Sequence, residues 1–144
     1  MNMISVVIIG FIILETTNVI ALYFFPGSKY ANSVGVFKAW ERSKQEPEIH
    51  DFVKYLVNWV AGTKLIFLLL LVVILFTADV QGLFYTGVAL VISISSFFLR
   101  LFPLIRKMDR EDQVDPKNYS AILGLMISVF VLVFLAALLL AGRG

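Results

Sequence analysis

Residues 55–102 read YLVNWVAGTKLIFLLLLVVILF, then TADVQG, then LFYTGVALVISISSFFLRLF. Each flanking stretch supplies the roughly 20 apolar residues that a helix needs to cross a hydrocarbon core about 30 Å thick. The connection at 77–82 is six residues long and holds no Lys or Arg, so the two stretches form a tight antiparallel hairpin. Two more such stretches lie outside it, at 4–25 and 122–140. The expected fold is an all-α membrane protein, a four-transmembrane-helix bundle forming a single integral membrane domain over 1–144. Its two long loops are 26–54 and 103–118.

The composition fits, with 60% hydrophobic and 15% charged residues. The charge is concentrated in the two long loops. Lys29, Lys38, Arg42, Lys44 and Lys54 follow the first stretch, while Arg100, Arg106, Lys107, Arg110 and Lys117 border the second long loop. The opposite side has only Arg143. Cytoplasmic loops collect Lys and Arg, so both termini are expected outside and both long loops in the cytoplasm, in the cell or plasma membrane. The first stretch contains Glu15, has no basic segment before it and no small-residue cleavage site after it. It therefore reads as a span and not as a signal peptide. A net charge of +2, with acids interleaved among the bases, does not point to nucleic acid. The bases instead suit anionic headgroups on the cytoplasmic side, with Lys38, Arg42, Arg100, Arg106 and Lys107 as contacts.

All four prolines sit at span boundaries. Phe25-Pro26 and Phe102-Pro103 are expected to end the first and third helices. Glu46-Pro47 and Asp115-Pro116 are expected to open the second and fourth, with the acid as cap and Pro at the first helical position. The two halves thus share a faint parallel pattern. Between the first two spans, Tyr30, Val34, Phe37 and Trp40 recur at helical spacing, with Lys38 and Arg42 on another face. This predicts a short interfacial amphipathic helix, and packing against the cytoplasmic ends of the bundle is equally compatible with the pattern. Trp40, Trp59, Tyr30, Tyr55 and Tyr119 fit an aromatic belt near that interface.

Polar residues within the spans are the candidate site. Glu15 lies ten positions before Phe25, and Asn18 follows on the same helical face. An ionised carboxylate facing lipid is costly, so Glu15 must turn inward, pair or be protonated. Lys64, nine residues in from Tyr55 on the antiparallel neighbour, comes out at similar depth and is the natural partner. Its alternative is to snorkel to the headgroups. Asn58 and Gly62 lie on another face of that span, in line with Lys54. On the third span Thr86, Ala89, Ser93, Ser96 and Arg100 make a small-polar stripe that reads as a packing seam. Ser120, Gly124 and Ser128 do the same on the fourth.

Other chemistry is sparse. With no Cys, thiolate chemistry is excluded. Asp109, Asp112 and Asp115 are spaced by three but have basic neighbours and no EF-hand pattern, so neither metal nor cofactor is expected. The lone His50 completes no catalytic set. Four short spans with one mid-membrane acid in the first, Glu15, resemble the small multidrug transporters, whose carboxylate at that place is the proton and drug site. The chain departs from them in its long loop after the first span, its fixed charge bias and Lys64. Two function classes follow. One is a non-enzymatic structural, assembly or accessory membrane component, held against the lipid bilayer and a second copy or a partner membrane protein. The other is a small transporter or proton-linked channel working through Glu15, Asn18, Asn58 and Lys64.

Overall fold

A computed structural model describes residues 2–142, and Arg143, counted above on the outer side, lies outside the described residues. Among the described residues, four helices are long and apolar enough to cross a membrane. They are built from α1 (Met3–Phe24), α3 (Pro47–Thr77), the run α4 (Val80–Ser95) and α5 (Phe97–Arg110), and α6 (Tyr119–Ala141). A six-residue α2 (Lys38–Ser43) lies between the first two spans, preceded by a 3-10 turn at Val34–Val36. Among the described residues there is no β-strand.

The bundle is held by a row of apolar residues on α1: Ile4, Ile8, Phe11, Val19 and Leu22 are buried at helical spacing. α1 packs chiefly on α3 and next on α6. Towards the hairpin end Phe11 meets Phe130 and Phe134 edge-on, with ring centroids 5.9 Å apart in each case. This geometry matches the aromatic quadrupoles. The outer surface stays apolar: Leu69, Val73, Leu99, Leu132 and Leu139 are all more than half exposed. Such a continuous apolar exterior is untenable in water and natural in lipid.

The connections differ from their expected form in instructive ways. α1 stops at Phe24, just before Pro26, as expected. The hairpin is tighter than six residues, since only Ala78 and Asp79 separate α3 from α4, and the Asp79 carboxylate accepts the Gly82 N–H at 2.7 Å. α3 begins at Pro47, but the Glu46 side chain makes no capping bond. Pro103 does not end the third span. The helix breaks earlier, at Ser96, and then runs through Pro103 to Arg110. Pro103 forfeits one helical bond, but buried Ile105 holds the following turn against Val36, Val114, Tyr119 and Leu123. Asp115-Pro116 does not open α6 either, because Asp115 is drawn to the other loop through its N–H and its carboxylate, to the Val36 carbonyl and to Lys29. The punctuation shared by the two halves is therefore not shared structure.

Nor do Tyr30, Val34, Phe37 and Trp40 share a helix face. They are spread over a turn, the 3-10 segment, the residue capping α2, and α2 itself. Tyr30 is 83% exposed, while Trp40 is buried with its ring centroid 4.9 Å from that of His50. The segment folds down onto α3 and the second loop, the packing alternative, and does not lie as one amphipathic helix in the interface. Phe37 and Val114 form an antiparallel bridge, and Lys38 Nζ meets Asp112 at 2.6 Å. Both basic loops thus close over the same end of the bundle.

Candidate functional site

Glu15 falls in the row of α1 that continues Ile4, Ile8 and Phe11, and Lys64 falls in the α3 row of Val57, Ala61, Leu68 and Leu71, whose other members are buried. The spacing that builds the α1–α3 seam therefore carries both charges into it. Lys64 Nζ lies 2.6 Å from Glu15 Oε2 and 2.5 Å from Asn18 Oδ1. The two charged side chains are 31% and 28% exposed. Snorkelling is thus not what Lys64 does; its ammonium is turned across the seam to α1.

Asn18 is buried and fully engaged. Its oxygen accepts from the ammonium, and its amide nitrogen donates to the Ala31 carbonyl at 2.5 Å and the Asn32 carbonyl at 3.0 Å. The chemistry fixes the amide orientation, because carbonyls can only accept and an ammonium can only donate. Ala31 and Asn32 both have left-handed backbone, with φ of 54° and 52°. That region costs an L-residue roughly 1–2 kcal/mol, and here it aims two successive carbonyls at one side chain. The network continues as the Tyr119 hydroxyl donates to Asn32 Oδ1 at 2.6 Å. One polar chain therefore links α1, α3, the first loop and the start of α6.

The remaining expected residues fall elsewhere. Asn58 is exposed and stands apart from this chain. The stripe on α4 is not the seam within the bundle: Ala89, Ser93, Ser96 and Arg100 are exposed, and the buried face is Leu83, Gly87 and Leu90. On α6, buried Ser120 and Gly124 do pack closely, and a Cβ at Gly124 would stand 2.7 Å from the Phe102 ring. Of the expected headgroup contacts, Lys38 is paired with Asp112, while Arg42, Arg100, Arg106 and Lys107 are exposed.

Asp109, Asp112 and Asp115 turn to separate partners: the start of α6, Lys38 and Lys29. The Lys38 ammonium holds the Asp112 carboxyl below its ordinary value, first by its hydrogen bond and then by its charge. Sequence reasoning missed the roles of Ala31, Asn32, Tyr119 and Asp109. The only available signal was Asn, which tolerates left-handed backbone, at Asn32 and Asn118. The surface grooves among the described residues include one of about 470 Å³ along α5 and one of about 280 Å³ between Lys29, Val36, Lys38 and Arg42. Neither is lined by Glu15, Asn18 or Lys64. The chain matches no protein-family model, no curated protein and no solved structure.

Proposed function

We propose that this chain is a non-enzymatic membrane component, structural, assembly or accessory in role, whose Glu15–Lys64 pair clamps two spans and the loop above them. Its basic end is read as cytoplasmic, from the loop charge bias. The observation that carries the clamp is Asn18. It takes a bond from Lys64 and delivers two to the loop, so the ammonium is held by a charge and by a side chain that is itself anchored. A group that must shuttle protons gains little from such a fixed partner, whereas a register device gains from it. Two opposite charges inside an apolar seam penalise any sliding of α1 against α3.

A second reading, in which water reaches the pair and Glu15 serves a proton-linked transporter, requires that the residual exposure of Glu15 and Lys64 face water and not lipid. A double-mutant cycle separates the two. Glu15→Gln and Lys64→Met should each lower stability in mixed micelles by about 3 kcal/mol, the lower end for breaking a buried pair. The double variant should recover much of that loss. Strictly additive losses would remove the clamp. Single variants that stay stable, with a liposome proton flux that vanishes in Glu15→Gln alone, would install the transporter reading in its place.

A further inference from the structure

Most of the lysines of this chain are paired. Lys29, Lys38, Lys44, Lys54, Lys64 and Lys107 each pair with a carboxylate. Among the described residues, Arg42, Arg100, Arg106 and Arg110 make no such pair. With Lys117, which is exposed and also makes no such pair, these arginines are the cations left facing outward. Arginine is also the residue whose planar fork grips a phosphate with two parallel hydrogen bonds.

Two of these arginines converge. Arg106 and Arg110 stand one turn apart on α5 and, with Phe102, Pro103, Lys107 and Glu111, line the groove of about 470 Å³. Glu111 does not cancel them, since it is engaged by Lys107 at 3.8 Å and by Gln113 Nε2 at 2.5 Å. On the same face of this helix, towards the membrane interior, Leu99 is 75% exposed. Leu99 and Arg106 are seven residues apart, about 10 Å along the helix. That face therefore runs from an exposed aliphatic side chain to two free guanidiniums within one lipid's reach.

We infer that the Arg106–Arg110 groove binds the phosphate of an anionic phospholipid in the leaflet at the basic end of the bundle, with an acyl chain along Leu99. The shared chemistry is a phosphate oxyanion. The adjoining aliphatic surface assigns it to a lipid and not to a soluble phosphate. The site is independent of the Glu15–Lys64 clamp and stands whether or not that clamp does.

Native mass spectrometry of the detergent-solubilised chain with added phosphatidylglycerol tests it. Each basic residue near an anionic surface contributes about 1 kcal/mol, so Arg106→Gln/Arg110→Gln should weaken retention roughly 10- to 30-fold. Phosphatidylcholine retention should be weak in both chains and unchanged. On the unaltered chain, a photoreactive phosphatidylglycerol should crosslink within residues 99–110, a readout that requires no variant to fold. Equal retention by the double variant would overturn the site, as would crosslinks concentrated in residues 26–54. Displacement of phosphatidylglycerol by an equal concentration of inorganic phosphate would overturn the lipid as its ligand.

Discussion

A Cβ added at Gly35 would stand 2.0 Å from the Gly27 carbonyl oxygen and 2.3 Å from its carbon, and the obstacle is backbone, not a side chain that can swing away. The segment has little room to retreat. Val36 is fully buried, and its carbonyl accepts the Asp115 N–H at 2.8 Å. Gly35→Ala should therefore cost about 1–3 kcal/mol, the usual price of overpacking a filled site. A chemical-unfolding midpoint in micelles equal to that of the parent would contradict this close approach. At the same scale Asn18 shows how far single residues were legible. Its presence beside Glu15 marked a polar spot in an apolar helix. Its two loop partners could not be read, because they are main-chain carbonyls and any sequence supplies those. Gly35 was equally silent, since its requirement comes from a strand of backbone eight residues away. Glu15 and Lys64 were legible because charge in an apolar seam is rare and must be answered by something within reach.

The helices themselves were legible from length and apolar content, yet their ends and faces often were not. α6 is the clearest case. An acid-Pro pair at 115–116 predicts the helix start, but the helix begins at Tyr119, and its cap comes from the end of α5. The Asp109 carboxylate accepts the N–H groups of Asn118 at 3.0 Å and Ser120 at 2.9 Å, and the Ser120 hydroxyl at 2.6 Å. A cap lent by a preceding helix leaves no local pattern to find. Asp109→Ala should destabilise by about 1–2 kcal/mol, as the loss of a capping side chain does. Amide exchange at residues 119–122 should quicken. Asp115→Ala removes only a half-exposed pair with Lys29, which is worth about 0–1 kcal/mol. The reverse ranking of these two variants would restore the local reading of the helix start. Faces misled for a related reason. In lipid both sides of a span are apolar, so small polar residues at 86–100 do not mark the inside. Buried Leu83, Gly87 and Leu90 differ little in character from the exposed residues beside them.

Across the whole molecule, the two basic loops hold each other as well as the bundle. Lys38–Asp112 and the Phe37–Val114 bridge join segments more than seventy residues apart, a pairing no local pattern announces. Because Lys38 lowers the Asp112 pKa, the folded state binds that proton less tightly than the unfolded chain does. The contribution is thus present above the ordinary carboxylate value and is lost as pH falls through the lowered one. Carboxyl-carbon NMR of the Lys38→Met variant should show the Asp112 midpoint rising towards the ordinary carboxylate range. An unmoved midpoint would mean that the loops do not clasp through this pair. The clasp also bears on orientation. Loops that bind each other lie on one side of the bundle, so the ten basic residues of these loops and their borders act together as one topological signal. The short hairpin at Ala78 and Asp79 then lies on the opposite side. The chain has no cysteine, so single introduced cysteines report sidedness without background. Gln81 and Glu48 are both exposed, at opposite ends of the bundle. In intact cells a membrane-impermeant maleimide should label Gln81→Cys and spare Glu48→Cys until the membrane is opened. Labelling of Glu48→Cys in sealed cells, with Gln81→Cys protected, would invert the molecule in its membrane and leave the fold as it is.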